Sequence, residues 1–195
     1  PRRRFMALFC AAVRRQAILM KKRSKDAVRA VIGALDIPPW VIEVFDGHYP
    51  SEALRYRFGC PDELFLMTED ELAIWPDAWV VVLDDGSFGT LFAYDEVRRG
   101  FVSFDVEDAD VRADMPLHSW VALMVPVALS FLEDTDAWRT DEEAIVWLRE
   151  ILGIPMAAEM VASFPREGFP TFDEAEAWTK HWERRLDRPR AEGLE

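Results

Sequence analysis

Hydrophobic residues between positions 79 and 106 fall into three short runs that are separated by turn-forming residues. Trp79–Leu83 is continuous and rich in β-branched residues, which predicts a central strand covered on both faces. Asp84–Gly89 supplies turn chemistry, and Thr90–Tyr94 resumes a strand after it. In Phe101–Val106 apolar residues alternate with polar ones, which predicts an edge strand with one polar face. The pattern therefore predicts two successive antiparallel hairpins.

The segment before these runs predicts a further strand and a short helix. Leu64–Met67 is uniformly apolar and is interpreted as a strand. Thr68 and Glu71 have the spacing of a capping box, in which both side chains accept hydrogen bonds from free backbone N–H groups. We expect a helix to begin there and to end at Pro76.

Helical periodicity and helix-start signals account for much of the remaining chain. The predicted helices begin near Ser24, Trp40, Ser119, Thr140 and Thr171. Together these elements predict an α+β fold with a small, mostly antiparallel sheet flanked by helices and a helical C-terminal extension. We expect one α+β domain over residues 24–137, with the extension of residues 138–195 packed on the same domain.

Residues 1–23 form a basic segment with three open interpretations. A secretory signal is disfavoured because Arg14 and Arg15 cut off the apolar region that follows Phe5. A basic amphipathic helix would lie on a membrane or a partner. The favoured interpretation is a disordered segment, or sequence translated upstream of a true start at Met20.

Charge is unevenly distributed along the chain. The net charge is −13, and the first 30 residues hold ten Lys or Arg and one acid, or +9, which leaves −22 for residues 31–195. Such a body repels phosphates and anionic lipid and attracts basic partners, so we expect neither nucleic acid nor a membrane as a partner of residues 31–195. The competing interpretation is that these acids only keep the protein soluble.

The disfavoured secretory signal and the cysteine usage predict a cytoplasmic, reducing location, and hydropathy predicts a soluble protein. Cys10 and Cys60 lie far apart and form no CxxC pair, so they support neither a zinc site nor a disulfide scaffold. The longest apolar run, Trp120–Leu132, is shorter than the ~20 residues that a membrane span needs.

The search for catalytic chemistry is mostly negative, and we expect neither an enzyme nor a cofactor. His48, His118 and His181 lie in three different segments, so no helical metal site of the HExxH type is formed. Ser87 lies in a strand-to-strand turn rather than at a nucleophile elbow. One alternative is a metal-dependent hydrolase in which Asp84, Asp85 and Asp95 hold a hard cation.

Several motifs follow one another in a fixed order over about residues 25 to 135. A proline-initiated second helix is followed by a Thr-x-x-Glu-Leu pattern, an apolar strand, a Gly-x-x-Gly turn, a strand that ends in Asp and a late Ala-x-Ser-Phe helix. In this chain the motifs are Ile37–Phe45, Thr68–Leu72, Val80–Leu83, Gly86–Gly89, Leu91–Asp95 and Ala128–Leu132. Taken in this order, they resemble the SUKH superfamily.

The resemblance implies a non-catalytic immunity protein, because bacterial Smi/Knr-like members of the superfamily are known largely as immunity proteins against secreted toxins. If the sheet is like the family's, the hairpin loop and the loop after the last strand form one acidic surface. The predicted partner-binding residues on that surface are Asp84, Asp85, Asp105, Glu107, Asp108 and Asp110. The expected partner is a cognate toxin, most simply a nuclease, whose basic cleft this surface would occlude. The alternative is an intracellular scaffold or regulatory module that binds partners without neutralising a toxin.

Overall fold

The predicted strands between residues 79 and 106 form one antiparallel sheet in the computed structural model, which describes residues 23–72, 75–76, 78–106, 116–134 and 136–187. The strands are β1 (Trp79–Asp84), β2 (Thr90–Asp95) and β3 (Gly100–Asp105). They lie in the order β1–β2–β3, which confirms the two hairpins and puts β3 at an edge. With helices packed on the sheet, the α+β fold class is confirmed.

The prediction that Trp79–Leu83 forms the central strand of the sheet is wrong, because β2 occupies the middle. Val80, Val82 and Leu83 of β1 are nevertheless buried. The helices α1 (Lys25–Ile32) and α2 (Pro39–Phe45) pack against β1 and supply this burial. An apolar run buried by helices has the same sequence pattern as one buried between strands.

The prediction that Leu64–Met67 is a strand is wrong. Most of this segment lies in the helix α4 (Asp62–Leu66). Pro61 precedes this helix, and two acids occupy its first turn, which suits the positive end of the helix dipole. Leu64 is buried, whereas Leu66 is exposed. A run of four apolar residues carries no period that distinguishes a strand from a helix.

Two further helices flank α4 along the chain. The capping box of Thr68 and Glu71 is confirmed at α5 (Glu69–Leu72), where the backbone N–H of Thr68 donates to Glu71 Oε2 at 2.7 Å. The segment before α4 contains the helix α3 (Glu52–Arg57), which is capped by Ser51 and which sequence analysis missed. Aromatic packing from this region reaches β2, because Phe58 is buried between the rings of Trp40 and Phe92.

Residues 117–187 carry the remaining helices, which are α6 (Trp120–Leu123), α7 (Val125–Glu133), α8 (Asp141–Glu150), α9 (Ala157–Ser163) and α10 (Phe172–Leu186). The helix predicted to begin near Ser119 is divided at Met124, two residues before Pro126. The capping box of Thr140 and Glu143 is complete, which confirms the start of α8. Sequence analysis missed α9.

The C-terminal helix α10 is held by hydrogen bonds to α9. Ser163 Oγ accepts from the indole N–H groups of Trp178 at 3.0 Å and Trp182 at 3.2 Å. The same hydroxyl donates to the carbonyl of Met160 at 2.8 Å. One serine thus satisfies two tryptophans on the apolar face of α10.

The chain contacts divide the described residues into two compact units, with the division between Pro116 and Leu117. The sequence analysis divides the chain after residue 137 instead. Helices α6 and α7 belong to the second unit because both pack against α10. Of the predicted basic segment of residues 1–23, all but Arg23 lie outside the described residues.

Candidate functional site

The turn between β1 and β2 brings part of the predicted acidic surface together at one end of the sheet. Asp84 ends β1, and the N–H of Asp85 donates to the carbonyl of Thr90 at 3.0 Å. Thr90 is paired across the sheet with Asp105 of β3. We call these three acids, Asp84, Asp85 and Asp105, the acidic end of the sheet.

Asp84 is buried, with only 5% of its surface exposed. Its Oδ1 accepts from the N–H of Gly86 at 2.6 Å, and its backbone forms an antiparallel bridge with Gly59. Burial raises the pKa of the Asp84 carboxyl to about 6, although the hydrogen bond from Gly86 opposes the rise. Asp84 therefore offers almost no contact area to a partner, and its charge depends on pH near neutrality.

Gly59 is required at this bridge because the Asp84 carboxylate lies against its α-carbon. A side chain β-carbon at position 59 would stand 2.2 Å from Asp84 Oδ1 and 2.9 Å from Asp84 Cγ. Gly86, with φ of +78°, permits the sharp turn that follows Asp84. The two glycines thus fix the buried position of this carboxylate.

Asp85 is the half-buried acid of the turn and stays ionised at neutral pH. Its Oδ1 accepts from the N–H of Ser87 at 3.0 Å, from the Ser87 hydroxyl at 2.9 Å and from the N–H of Gly89 at 3.1 Å. Burial alone would raise the pKa of Asp85, but these hydrogen bonds outweigh it, and the pKa lies below its usual value. Ser87 serves the turn, as predicted.

Two acids that sequence analysis did not single out act on the same end of the sheet. The charges of Asp85, Glu63 and Asp62 all raise the pKa of Asp84. Asp62 also forms an ion pair with Lys25 at 2.7 Å, whereas Glu63 is exposed. Sequence analysis missed these two acids because it predicts a strand where α4 lies. The Pro-Asp-Glu sequence at residues 61–63 is the helix-start signal that indicates α4.

Glu107, Asp108 and Asp110, the other predicted partner-binding residues, lie outside the described residues and stay predictions. Asp105 is half-exposed at the end of β3. Of the predicted surface, the described structure thus brings together one buried and two partly exposed acids.

The hypothesis of a cation held jointly by Asp84, Asp85 and Asp95 is wrong. Asp84 is paired with Leu91 and Asp95 with Trp79, so the two acids stand at opposite ends of the hairpin. Asp95 caps the other turn, where its Oδ1 accepts from the N–H groups of residues 97 and 98. Within the described ranges, no group of three His, Cys, Asp or Glu side chains is placed to hold a metal ion.

The remaining candidates for a nucleophile or a base are Cys60 and the three histidines. Cys60 donates its thiol hydrogen to the carbonyl of Phe45 at 2.8 Å. Burial raises the pKa of this thiol to about 11, so it is protonated and unreactive at neutral pH. His48, His118 and His181 are exposed, and His118 Nδ1 lies 3.3 Å from Asp187 Oδ2.

Comparison with protein-family models, with curated proteins and with solved structures finds no match to this chain. The resemblance to the SUKH superfamily therefore stays a prediction that rests on the motifs alone. No helix in the described part of the chain has the length and apolar character to cross a bilayer.

Proposed function

We propose that this protein is a non-catalytic immunity protein that binds a cognate bacterial toxin through the acidic end of its sheet. The observation that carries the proposal is the convergence of Asp85, Asp105 and Glu63 at one end of a body whose residues 31–195 sum to −22. The order of motifs that resembles the SUKH superfamily supports the same conclusion.

The proposed partner surface is basic, because opposite charge speeds diffusional encounter and disfavours acidic competitors. A nuclease cleft suits this description, since it holds phosphates with cationic side chains. The protein would occupy the cleft and exclude the substrate by mimicking its charge. Asp85 suits a contact role because three hydrogen bonds fix its carboxylate in the ionised form.

The test is a calorimetric titration with the toxin domain encoded immediately upstream, at low and at high salt. We expect nanomolar affinity that weakens as salt screens the charges. The double variant Asp85→Asn, Asp105→Asn should bind about a hundred-fold or more weakly, since each of the two desolvated charge contacts contributes about 1.5 kcal/mol or more, or about ten-fold in affinity. Asp136→Asn removes an exposed acid from the second unit and should leave affinity unchanged.

Absence of binding at either salt concentration would contradict the proposal and favour the regulatory-module alternative. Tight binding that neither salt nor the double variant changes would retain a toxin partner but refute the acidic end as its site.

A further inference from the structure

Helix α8 carries a second apolar stripe beside the face that it buries. Ala144 and Leu148 are buried, whereas Val146 is 44% exposed and Trp147 is half-buried. The indole of Trp147 stacks on the ring of Phe131 from α7, with ring centroids 4.0 Å apart and planes 8° from parallel. This second stripe is therefore apolar surface that the described residues leave partly uncovered.

The stripe lies in an open, mostly apolar groove of about 590 Å³ in the second unit. Its lining includes Glu142, Glu143 and Glu150 of α8, and no Lys or Arg of the described ranges lines it. Glu143 and Glu150 are seven residues apart, so they lie on one face of the helix, about 10 Å from each other along its axis. The apolar stripe lies between these two acids.

The acids of the groove have no cationic partner in the described part of the chain. The exposed carboxylates of Glu142 and Glu150 form neither an ion pair nor a hydrogen bond there. Glu143 accepts hydrogen bonds only from backbone N–H groups at the start of α8. By contrast, Asp141 of the same helix, which does not line the groove, pairs with Arg166 at 2.9 Å. The charge of the groove is thus available to a partner.

This combination of apolar and acidic residues selects among the possible occupants. Nucleic acid and anionic lipid would be repelled by the three carboxylates, and the same groove of a second copy would bring like charges together. Helices that bind in grooves place apolar anchors at positions i+3 and i+4 of a stripe that runs from i to i+7. Cations at i and i+7 of such a helix have the spacing of Glu143 and Glu150.

We propose that this groove binds a basic amphipathic helix of a partner protein. Apolar side chains of that helix would pack against Val146 and Trp147. A Lys or Arg on either side of them would pair with Glu143 and with Glu150. Burial of the apolar side chains supplies most of the affinity, and the ion pairs select basic helices over acidic ones. The groove lies in the second unit and the acidic end of the sheet in the first, so either this proposal or the immunity function can fail without the other.

The probe is an alanine-based peptide of about 15 residues, long enough to form a helix, with the face Arg-x-x-Leu-Leu-x-x-Arg. The comparison peptide has Glu at both Arg positions and the same leucines. Each is titrated into the full chain, and the backbone amide resonances are followed by NMR. We expect the Arg peptide to shift the resonances of residues 137–151 and to bind about ten-fold or more tightly than the Glu peptide, because two attractive charge pairs are replaced by two repulsive ones.

The double variant Glu143→Gln, Glu150→Gln removes both charges. Glutamine also serves the third position of a capping box, so α8 keeps its start. The variant should bind the Arg peptide about two- to ten-fold more weakly than wild type does, as expected for the loss of two exposed ion pairs. Glu167→Gln is the matched control, because Glu167 is an exposed acid of the second unit that does not line the groove, and it should leave the affinity unchanged.

An Arg peptide that shifts none of the resonances of residues 137–151 at millimolar concentrations would overturn the proposal. Equal affinity for the Arg and Glu peptides would overturn it as well, and so would an affinity for the Arg peptide that the double variant leaves unchanged. If the same resonances shift with protein concentration in the absence of peptide, a second copy occupies the groove and the proposed partner is wrong.

Discussion

The buried carboxyl of Asp84 should make the first unit less stable as pH rises, and Asp84→Asn should remove that dependence. Asparagine keeps the size of the side chain and an oxygen that can accept from the N–H of Gly86. It cannot ionise, so the cost of a buried charge disappears. The variant therefore isolates the effect of ionisation from the effect of shape.

The sign and size of the effect follow from the pKa of Asp84 in the two states. The folded-state pKa is about 6, whereas an unfolded aspartate has a pKa of about 3.9. Between these values the folded protein binds more protons than the unfolded chain, so the free energy of unfolding falls as pH rises. Two pKa units correspond to about 3 kcal/mol, which is lost between about pH 4 and pH 6 and stays lost above.

Urea unfolding followed by tryptophan fluorescence measures this contribution across the same pH range. The difference in unfolding free energy, Asp84→Asn minus wild type, should rise by about 3 kcal/mol from about pH 4 to pH 7. Asp85→Asn is the control, because hydrogen bonds outweigh burial and hold the pKa of Asp85 below its usual value, so its charge stabilises the fold throughout this range. This variant should lower the free energy of unfolding by an amount that does not change between about pH 4 and pH 7. A pH-independent difference for Asp84→Asn would refute the reasoning.

Three further substitutions test the packing and the caps. Gly59→Ala should destabilise the protein by about 1–3 kcal/mol, since the new β-carbon would meet the Asp84 carboxylate at 2.2 Å. This loss of stability should shrink in an Asp84→Ala background. Equal losses in both backgrounds would contradict the contact. Ser163→Ala should lower the free energy of unfolding by about 1–3 kcal/mol, because it leaves two tryptophan indoles without their acceptor. Ser163→Thr keeps the hydroxyl and should retain most of the stability. The urea midpoints of the two variants measure this difference. Thr140→Ala should lower the free energy of unfolding by about 1 kcal/mol through the loss of the capping box, and an unchanged midpoint would count against that cap.

Features whose causes are local were predictable from the sequence. The capping box of Thr140 and Glu143 needs only residues that are three apart, and both of its hydrogen bonds are formed. The turn at Asp85 is equally local, because its acceptors and donors lie within a few residues. Pro126 likewise divides a helix where its missing N–H requires it.

Features that depend on distant packing were not predictable in the same way. The prediction that β1 is central is wrong because helices rather than strands bury it, and both kinds of burial give the same apolar run. The burial of Asp84 depends on Gly59, which is 25 residues earlier and carries no side chain to reveal the contact. Asp62 and Glu63 lie beside the acidic end of the sheet because they begin α4, whose short apolar run has no diagnostic period.

The effect of this protein on the activity of the upstream-encoded toxin tests the central claim most directly. The toxin's cleavage of its substrate is measured with increasing amounts of wild-type protein and of the Asp85→Asn, Asp105→Asn variant. The account predicts that one equivalent of wild type abolishes cleavage and that the variant requires a clear excess. Undiminished cleavage at a large molar excess of wild-type protein would contradict the account.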